Sequence, residues 1–468
     1  MLFHTKDFLW FMAILLPLIL LLPRIAVMGV LLGVSYVFYG FSSIAFIFLL
    51  LATSTIDFNV ARYFESRPHA RAVGITISAL VNFSILGIFK YSNFFFSNIN
   101  SAFTSFGLQE QLPLIEVMLP VGISFYTFQS FAYIVDVLMG RIQACRSYPR
   151  YLLYVAWFPQ LVAGPIMRAQ ELMPQIETIE NKVSGMANRI PAAVTLFAEG
   201  WLRKCCADLL SQSSDAFFNN PSAATSGEAI VGIIAFGLQI YGDFSGYTKM
   251  AQGISWLFGV KLMENFNLPY GAIGIRDFWR RWHISLSTWF RDYLYIPLGG
   301  DRLGSARTFF NIFLTMLLCG FWHGANWTFL LWGMMHGGLL VAERMSGDFL
   351  ERIPKVAATI LTLVLVFLAW VPFRAPDLSS VVDCYAALAN GGWERPALGF
   401  VLGVIGLIAM DTYFKLVGRD DYNALQDHEI ENYGDWKPSI MVSCCVFAWF
   451  FAYTLNQNET NAFIYFQF

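Results

Sequence analysis

Residues 309–342 form one long apolar stretch, which reads FFNIFLTMLLCGFWHGANWTFLLWGMMHGGLLVA. As one continuous helix these 34 residues would be ~50 Å long at ~1.5 Å per residue, too long for the ~30 Å hydrocarbon core of a bilayer. We therefore expect a break, and the glycines of Gly320-Phe-Trp-His-Gly324 favour it there. The stretch predicts two membrane-embedded helices with His323 at the discontinuity, facing a cavity, because ionisable groups at that depth are costly elsewhere.

The composition extends this expectation to the whole chain. Of its 468 residues 57% are hydrophobic and only 13% are charged, about half the charged fraction of an ordinary soluble domain, which is ~25%. The sequence therefore predicts an all-α integral membrane protein. The formal net charge of −2 gives no indication of nucleic-acid binding, and the seven cysteines show no metal-ligand spacing, so no metal site is predicted.

Apolar segments recur from end to end, and we predict a single polytopic membrane domain over residues 1–468 with 11 or 12 crossings and additional re-entrant segments. Several segments are too short to cross alone or contain Pro or Gly, and irregular backbone at membrane depth must be surrounded by protein or a water-filled cavity. The polar stretches 168–189 and 417–437 are predicted loops. The candidate spans are 8–22 (a retained first span), 25–41, 43–60, 72–90, 115–139, 151–166, 190–210, 227–247, 249–260, 308–320, 325–342, 356–373, 398–416 and 438–455.

The distribution of arginine predicts the orientation, because cytoplasmic loops of membrane proteins carry the excess of Lys and Arg. Arg24 follows the first span, whereas residues 40–43, between the second and third, carry no charge. Three arginines follow the third span and three more follow the fifth, although Lys90 lies against the pattern. We therefore predict a periplasmic N-terminus.

The segment 276–293 combines basic and aromatic residues. Taken as one continuous helix, its spacings of 4, 3, 4 and 4 residues place five polar side chains on one stripe: Arg276, Arg280, His283, Ser287 and Arg291. Two interpretations remain open for this amphipathic pattern. The helix lies in the membrane interface as an anchor, or it forms a basic mouth whose arginines bind a phosphate-bearing molecule.

His323 also has two interpretations. A neutral, buried imidazole is a good general base near neutral pH, but a histidine at a helix break is equally able to hydrogen-bond a neighbouring carbonyl group. His336 is a weaker candidate. It lies 13 residues further on, ~220° around a continuous helix, and so faces away from His323 unless the break intervenes.

Several motifs together resemble one family over nearly the whole chain. Asp277–Ser287 followed by Gly320–Asn326 is similar to the membrane-bound O-acyltransferase (MBOAT) family, in particular to its bacterial polysaccharide branch with the alginate O-acetyltransferase membrane subunit. The other matching stretches are Leu119–Gln129, Phe158–Pro165, Tyr241–Tyr247, Met263–Tyr270 and Phe463–Phe468.

The resemblance implies a helical bundle with re-entrant helices around a transmembrane tunnel, and a family core at roughly 113–345. It also implies that His323 is the catalytic histidine and that His283 is a second active-site residue. Because these two histidines are 40 residues apart, folding would have to bring them together.

The implied activity is an O-acetyltransferase of the bacterial inner membrane. Acetyl-CoA from the cytoplasm would be the acyl donor, and the acceptor would be a cell-surface polysaccharide, alginate first, with cellulose or peptidoglycan as other possibilities. A periplasmic SGNH-type acetyltransferase or an acetyl carrier would be the partner, and membrane lipid would surround the protein. The candidate donor-binding residues are Arg276, Arg280, Arg281, Arg291, Trp282, Ser287 and Asn326.

Three other functions remain open at this point. A sister branch of the family transfers D-alanyl groups to teichoic acid, taking them from a carrier protein. A transporter or flippase for a lipid-linked sugar is a second possibility, although the chain shows no internal repeats of the kind common in transporters. The third is a non-catalytic scaffold of a polysaccharide export complex.

Overall fold

The computed structural model describes residues 1–115, 118–347, 349–416, 430 and 437–456. Most of the predicted loop 417–437 and the motif Phe463–Phe468 therefore lie outside the described residues. All regular elements in the described part are helical, which confirms the all-α prediction. The chain divides into two compact units, Met1–Arg189 with Ile254–Leu262 and Ile190–Gly253 with Met263–Phe468.

The first unit is built from short and medium helices. They are α1 (Lys6–Leu21), α2 (Arg24–Gly40), α3 (Ile44–Phe64), α4 (Arg71–Leu86), α5 (Ser92–Ser105), α6 (Ile123–Leu138), α7 (Tyr148–Ala156), α8 (Phe158–Leu161), α9 (Ala169–Glu177) and α10 (Ile179–Lys182). A π-helical turn, Gly87–Tyr91, joins α4 to α5.

The second unit contains most of α11 (Met186–Phe218) and α12 (Ser226–Leu257) together with all later helices. These are α13 (Ile275–Arg281), α14 (Ile284–Phe290), α15 (Ser305–His323), α16 (Trp327–Met345), α17 (Lys355–Arg374), α18 (Leu378–Ala387), α19 (Leu398–Leu416) and α20 (Lys437–Asn456).

Five helical stretches within the described residues are long and apolar enough to cross a membrane, and four shorter apolar helices accompany them. The five are Ile44–Phe64, Pro68–Ser105, Ser226–Leu257, Ser305–His323 and Lys355–Arg374. Length and composition do not fix the number of crossings, which remains a prediction.

Four predicted boundaries were wrong. The spans 227–247 and 249–260 form the single helix α12, because the charge of Lys249 is neutralised by Glu264 and does not end the helix. The span 115–139 is helical only from Ile123, and 151–166 is interrupted at Trp157. The predicted loop 168–189 contains α9 and α10, because apolar residues such as Leu172 and Ile176 are buried between its polar ones.

Two motifs of the first unit pack against each other. The Gln129 side chain donates to the carbonyl oxygen of Tyr154 at 2.8 Å, and Gln160 donates to the Gln129 side chain at 3.1 Å. At Gly122, where φ is +75°, a Cβ atom would lie 2.3 Å from the carbonyl oxygen of Leu161. The motifs Leu119–Gln129 and Phe158–Pro165 therefore form one close backbone contact.

Buried charges connect α11, α12 and α19 in the second unit. The Arg203 guanidinium lies 3.1 Å from Glu199 and 2.9 Å from Asp411, and the Tyr241 hydroxyl donates to Asp411. On the next residue of α11, Lys204 lies 3.0 Å from Asp243. Because a buried ion must be paired to be tolerated, these contacts explain the polar residues inside otherwise apolar helices.

Helices α15 and α16 form an antiparallel hairpin in which glycines let the two backbones touch. A Cβ atom on Gly320 would lie 2.3 Å from the carbonyl oxygen of Phe329, and one on Gly333 would lie 2.5 Å from that of Met316. Small residues allow this close approach between membrane helices. The hairpin places His323 at its turn.

We expect Gly333→Ala to destabilise the hairpin by ~1–3 kcal/mol, the usual cost of inserting a methyl group into a well-packed contact. Gly338→Ala on the same helix is the matched control, because nothing lies within 4 Å of its Cβ position, and alanine there should be neutral or stabilising by up to ~1 kcal/mol. Apparent melting temperatures of the purified variants in detergent measure the difference. Equal melting temperatures for the two variants would contradict the close contact.

Candidate active site

The helix break predicted from the length of 309–342 is confirmed. Helix α15 ends at His323, Gly324 is extended with φ −163° and ψ 151°, and Asn326 caps α16 by accepting from the backbone N–H of Thr328. His323 is only 6% exposed. The turn of the hairpin therefore carries the imidazole into the interior of the second unit.

Aromatic rings surround the His323 imidazole. The rings of Trp332 and Phe373 each lie 5.1 Å from it between ring centres, in edge-to-face arrangements. Trp322, its neighbour in the chain, lies at 4.9 Å. These contacts come from α15, α16 and α17, so the orientation of His323 is fixed by three helices.

The segment 276–293 is not one continuous helix, contrary to the prediction. Helix α13 ends at Arg281, Trp282 is extended, and α14 begins at Ile284. His283 between them has φ +43° and ψ 55°, a left-handed conformation that L-residues other than glycine rarely adopt. Arg291 begins a π-helical turn that ends at Tyr295. The predicted stripe is therefore divided between elements.

The break at His283 turns its side chain inward instead of along the basic stripe. His283 is completely buried, and the ring of Phe244 on α12 packs edge-on against it at 4.8 Å. The His283 and His323 ring centres lie 6.4 Å apart. A hydrogen-bonded atom lies ~4 Å from the centre of an imidazole ring, so one atom of a small group can contact both rings.

A third histidine, His336, lies near this pair. Its Nδ1 accepts a hydrogen bond from the indole N–H of Trp279 at 3.3 Å. The ring of Trp332 lies 4.8 Å from His336 on one side and 5.1 Å from His323 on the other. His336 is thus separated from His323 by one tryptophan.

A cavity of about 890 Å³ opens between α13, α14, α15, α16 and the start of α17. Four of its lining side chains are basic and two are acidic. The six charged lining residues are Arg276, Arg291, Arg344, Lys355, Asp301 and Glu343. When Asp292, which pairs with Arg291 at 2.7 Å, is counted as well, the formal excess is one positive charge, and the cavity favours an anionic ligand.

The structure brings some of the predicted donor-binding residues to this cavity. Arg276, Ser287 and Arg291 line it. The other four are not among its lining residues within the described part of the chain. Arg281 pairs with Asp277 at 3.0 Å, and Trp282 is buried among aromatic rings such as Trp370 at 4.9 Å.

Arg280 and Asn326 also lie away from the cavity lining. Arg280 is exposed, and the side-chain amide of Asn326 donates to the carbonyl oxygen of Pro376 at 2.8 Å. The next residue, Asp377, caps α18, and the backbone N–H of Ser380 together with the Ser379 hydroxyl lowers the pKa of its carboxyl group. Asn326 therefore connects the turn of the hairpin to the segment before α18.

Neither His283 nor His323 is among the described residues that line the cavity, but two lining residues lie near them in the chain. Cys319, on its wall, precedes His323 by four residues, a rise of ~6 Å along α15. Ser287, also on its wall, donates its backbone N–H to the carbonyl oxygen of His283 at 3.0 Å. One helical turn of backbone therefore separates a lining residue from each histidine.

Sequence reasoning missed several residues of this site. Arg344 and Lys355 lie at the ends of predicted spans, where basic residues are common for other reasons, and Phe373 is 50 residues from His323. Within the described residues no group of three or more His, Cys, Asp or Glu side chains is arranged to hold a metal ion.

The sequence profile of the MBOAT, membrane-bound O-acyltransferase family, matches residues 114–373, more than half of the chain. The chain belongs to this family. It is therefore a multi-pass membrane protein and an O-acyltransferase. The matched region contains both histidines and the whole cavity.

Curated proteins agree with this assignment. The chain is 39% identical over 400 residues to a probable alginate O-acetylase of Azotobacter vinelandii, covering 84% of this chain and 79% of that protein. It is 35% identical over 379 residues to a peptidoglycan O-acetyltransferase of Helicobacter pylori, covering 74% and 71%. A teichoic acid D-alanyltransferase of Bacillus subtilis is 27% identical over 262 residues, covering 53% and 65%. The MBOAT chain thus resembles acetyl-transferring relatives more than this D-alanyl-transferring one.

Proposed function

We propose that this protein moves an acetyl group from cytoplasmic acetyl-CoA across the membrane for the O-acetylation of an exported polysaccharide. The observation that carries the proposal is a basic cavity with two lining residues, Ser287 and Cys319, that each lie one helical turn from one of two neighbouring histidines. Its volume, about 890 Å³, is within the ~300–1,000 Å³ typical of ligand sites. The relatives named for acetyl transfer support the choice of acyl group.

Donor binding follows from the charges of the cavity. Arg276 and Arg291, with Arg344 and Lys355, are suited to the phosphates of acetyl-CoA, because guanidinium groups bind phosphate through paired hydrogen bonds. The thioester then lies at the inner end, towards Cys319 and the histidines. Three of the predicted donor-binding residues do not contact the donor in this proposal: Arg280, Arg281 and Trp282. They act at the membrane interface or in the protein core.

His323 is the general base in this mechanism. It takes the proton of the acceptor hydroxyl as that oxygen attacks the thioester carbonyl carbon. The new C–O bond forms, the C–S bond breaks, and the proton passes from His323 to the departing thiolate. His283 contacts the carbonyl oxygen and stabilises the charge that develops on it.

The acceptor reaches the histidines from the opposite side of the membrane. We propose a tunnel through the membrane at the hairpin turn, with the cavity mouth towards the cytoplasm of a bacterial inner membrane and the N-terminus in the periplasm. The distribution of arginine supports this orientation. The acceptor is the polysaccharide itself, with alginate as the first candidate. Alternatively, it is a periplasmic SGNH-type transferase or an acetyl carrier that passes the acetyl group to the polysaccharide.

Reconstituted protein in liposomes tests the donor. With labelled acetyl-CoA outside and a polysaccharide or partner extract, label should appear in base-labile esters. A D-alanyl-charged carrier protein should give none. Transfer from the charged carrier but not from acetyl-CoA would replace this proposal with D-alanyl transfer, and a deletion strain with unchanged O-acetyl content on its exported glycans would refute it.

Arg276→Ala and Arg291→Ala should each raise the dissociation constant of acetyl-CoA by ~10-fold or more, since a hydrogen bond to a charged group contributes ~1.5–3 kcal/mol. Arg280→Ala is the matched control: it removes the same charge from the same segment but not from the cavity, so binding should change less than threefold. Isothermal titration on the purified proteins measures all three. If Arg280→Ala weakens binding as much as the other two, the cavity is not the donor site.

A further inference from the structure

Asn265, in the motif Met263–Tyr270, is bonded to the backbone that carries His283. Its main-chain oxygen accepts the N–H of Ile284 at 3.0 Å, and its side-chain Oδ1 accepts the N–H of Ser285 at 3.1 Å. These are the two residues that directly follow His283. Asn265 is 0% exposed, so both contacts are shielded from solvent.

These bonds explain how His283 keeps its left-handed conformation. A residue other than glycine at φ +43° persists only where the surrounding structure holds it. The two oxygens of Asn265 hold the chain immediately after the strained residue. Such outliers cluster at functional sites, and this one places an imidazole 6.4 Å from His323.

The orientation of the Asn265 amide follows from the same contacts. A backbone N–H only donates, so the side-chain atom near Ser285 must be the oxygen, and Nδ2 points the other way. Nδ2 is buried and, among the described residues, has no acceptor within hydrogen-bonding distance. A buried donor without an acceptor requires an explanation, and a catalytic role is one of those accepted.

Two of the residues predicted to bind the donor, Ser287 and Asn326, already use their side-chain donors. The Ser287 hydroxyl donates to the carbonyl oxygen of Trp282 at 3.2 Å, and the Asn326 amide donates to Pro376. Asn265 differs from both, because its buried Nδ2 has no acceptor among the described residues while its oxygens bond to the two residues after His283.

We propose that Asn265 is a further residue of the reaction centre, whose oxygens position His283 and whose Nδ2 donates a hydrogen bond to the carbonyl oxygen of the acyl group. This inference rests on the proposed acetyl transfer. As the acceptor oxygen attacks, the carbonyl electron pair moves onto the carbonyl oxygen and the N–H···O bond strengthens. When the C–S bond breaks, the carbonyl re-forms and Asn265 keeps its protons.

Asn265→Ala should lower kcat by ~10²–10³-fold, as the loss of an oxyanion donor does elsewhere. Asn267→Ala is the matched control, because Asn267 lies two residues away and its backbone N–H, which the substitution keeps, donates to the carbonyl oxygen of Arg281. It should change kcat less than threefold.

Two unreactive ligands separate the donor role from a structural one. One is the ketone analogue of acetyl-CoA with CH₂ in place of sulfur, and the other is S-ethyl-CoA, which has no carbonyl group. Asn265→Ala should weaken binding of the ketone by ~3–10-fold, the range of one neutral hydrogen bond, and that of S-ethyl-CoA less than twofold. Equal effects on the two ligands, or none, would overturn the donor role.

The wild-type protein gives a second measurement if Asn265→Ala does not fold. The infrared carbonyl stretch of the ¹³C-labelled bound ketone should lie below its frequency in an aprotic solvent, and a bound frequency at or above that value would overturn the inference. Wild-type protein that binds neither ligand would refute the proposed donor. If the wild-type protein binds both ligands and Asn265→Ala changes the two affinities equally, only the role of Asn265 is refuted.

Discussion

His323→Ala should lower the rate of acetyl transfer by ~10²–10⁴-fold, the contribution of a correctly placed general base. The variant should still fold, because the imidazole is enclosed by rings of Trp322, Trp332 and Phe373 that pack mainly on other residues, such as the Trp332–Trp370 pair at 5.9 Å. Single-turnover transfer from labelled acetyl-CoA measures the effect.

The control for this result is His69→Ala, which alters an exposed histidine on the turn Pro68–Ala70 and should leave the rate unchanged. The dissociation constant of acetyl-CoA should also be unchanged in His323→Ala, since the basic residues of the cavity remain. A His323→Ala protein with wild-type transfer would remove His323 from the mechanism.

His283→Asn should lower kcat by ~10²–10³-fold, because the imidazole that faces His323 and contacts the carbonyl oxygen is lost. Asparagine is chosen because it tolerates the left-handed conformation better than alanine does, so the backbone between α13 and α14 is kept. Acetyl-CoA affinity should change little, while kcat falls.

The double variant His323→Ala/His283→Asn tests whether the two imidazoles act on one step. Residues that act as a unit are strongly non-additive, so the double variant should be little slower than the slower single one. Fully multiplicative losses would show that the two histidines serve separate steps.

The hairpin was predictable because its evidence is local. The length of the apolar stretch 309–342 exceeds the membrane thickness, and the glycines on either side of His323 mark the break. The close contact of Gly333 with Met316 was not predictable, since nothing in the sequence shows which residue of the facing helix a glycine will touch.

The conformation of His283 could not be read from the sequence. The spacing of the basic residues in 276–293 fits a continuous helix, and no glycine or proline within that segment signals a break. The break exists because Asn265, about twenty residues earlier, accepts the N–H groups that follow His283. A contact between distant segments overrides the local pattern here.

The proximity of the two histidines was predicted only from the resemblance to the family. Phe244, Trp332 and Phe373 form the enclosure from three separate helices, and aromatic residues are too common in this chain for their pattern to indicate it. The sequence pattern also did not indicate that Arg344 and Lys355 line the cavity.

The ion pair between Arg203 and Asp411 bears on how much of the chain the enzyme requires. The family profile stops at residue 373, yet Asp411 neutralises a guanidinium inside the matched region and accepts the hydroxyl of Tyr241. A protein shortened to the profile would leave Tyr241 without that acceptor, and among the described residues Arg203 would keep Glu199 as its carboxylate partner. We therefore expect the minimal functional unit to extend through α19, beyond the segment that the family profile matches.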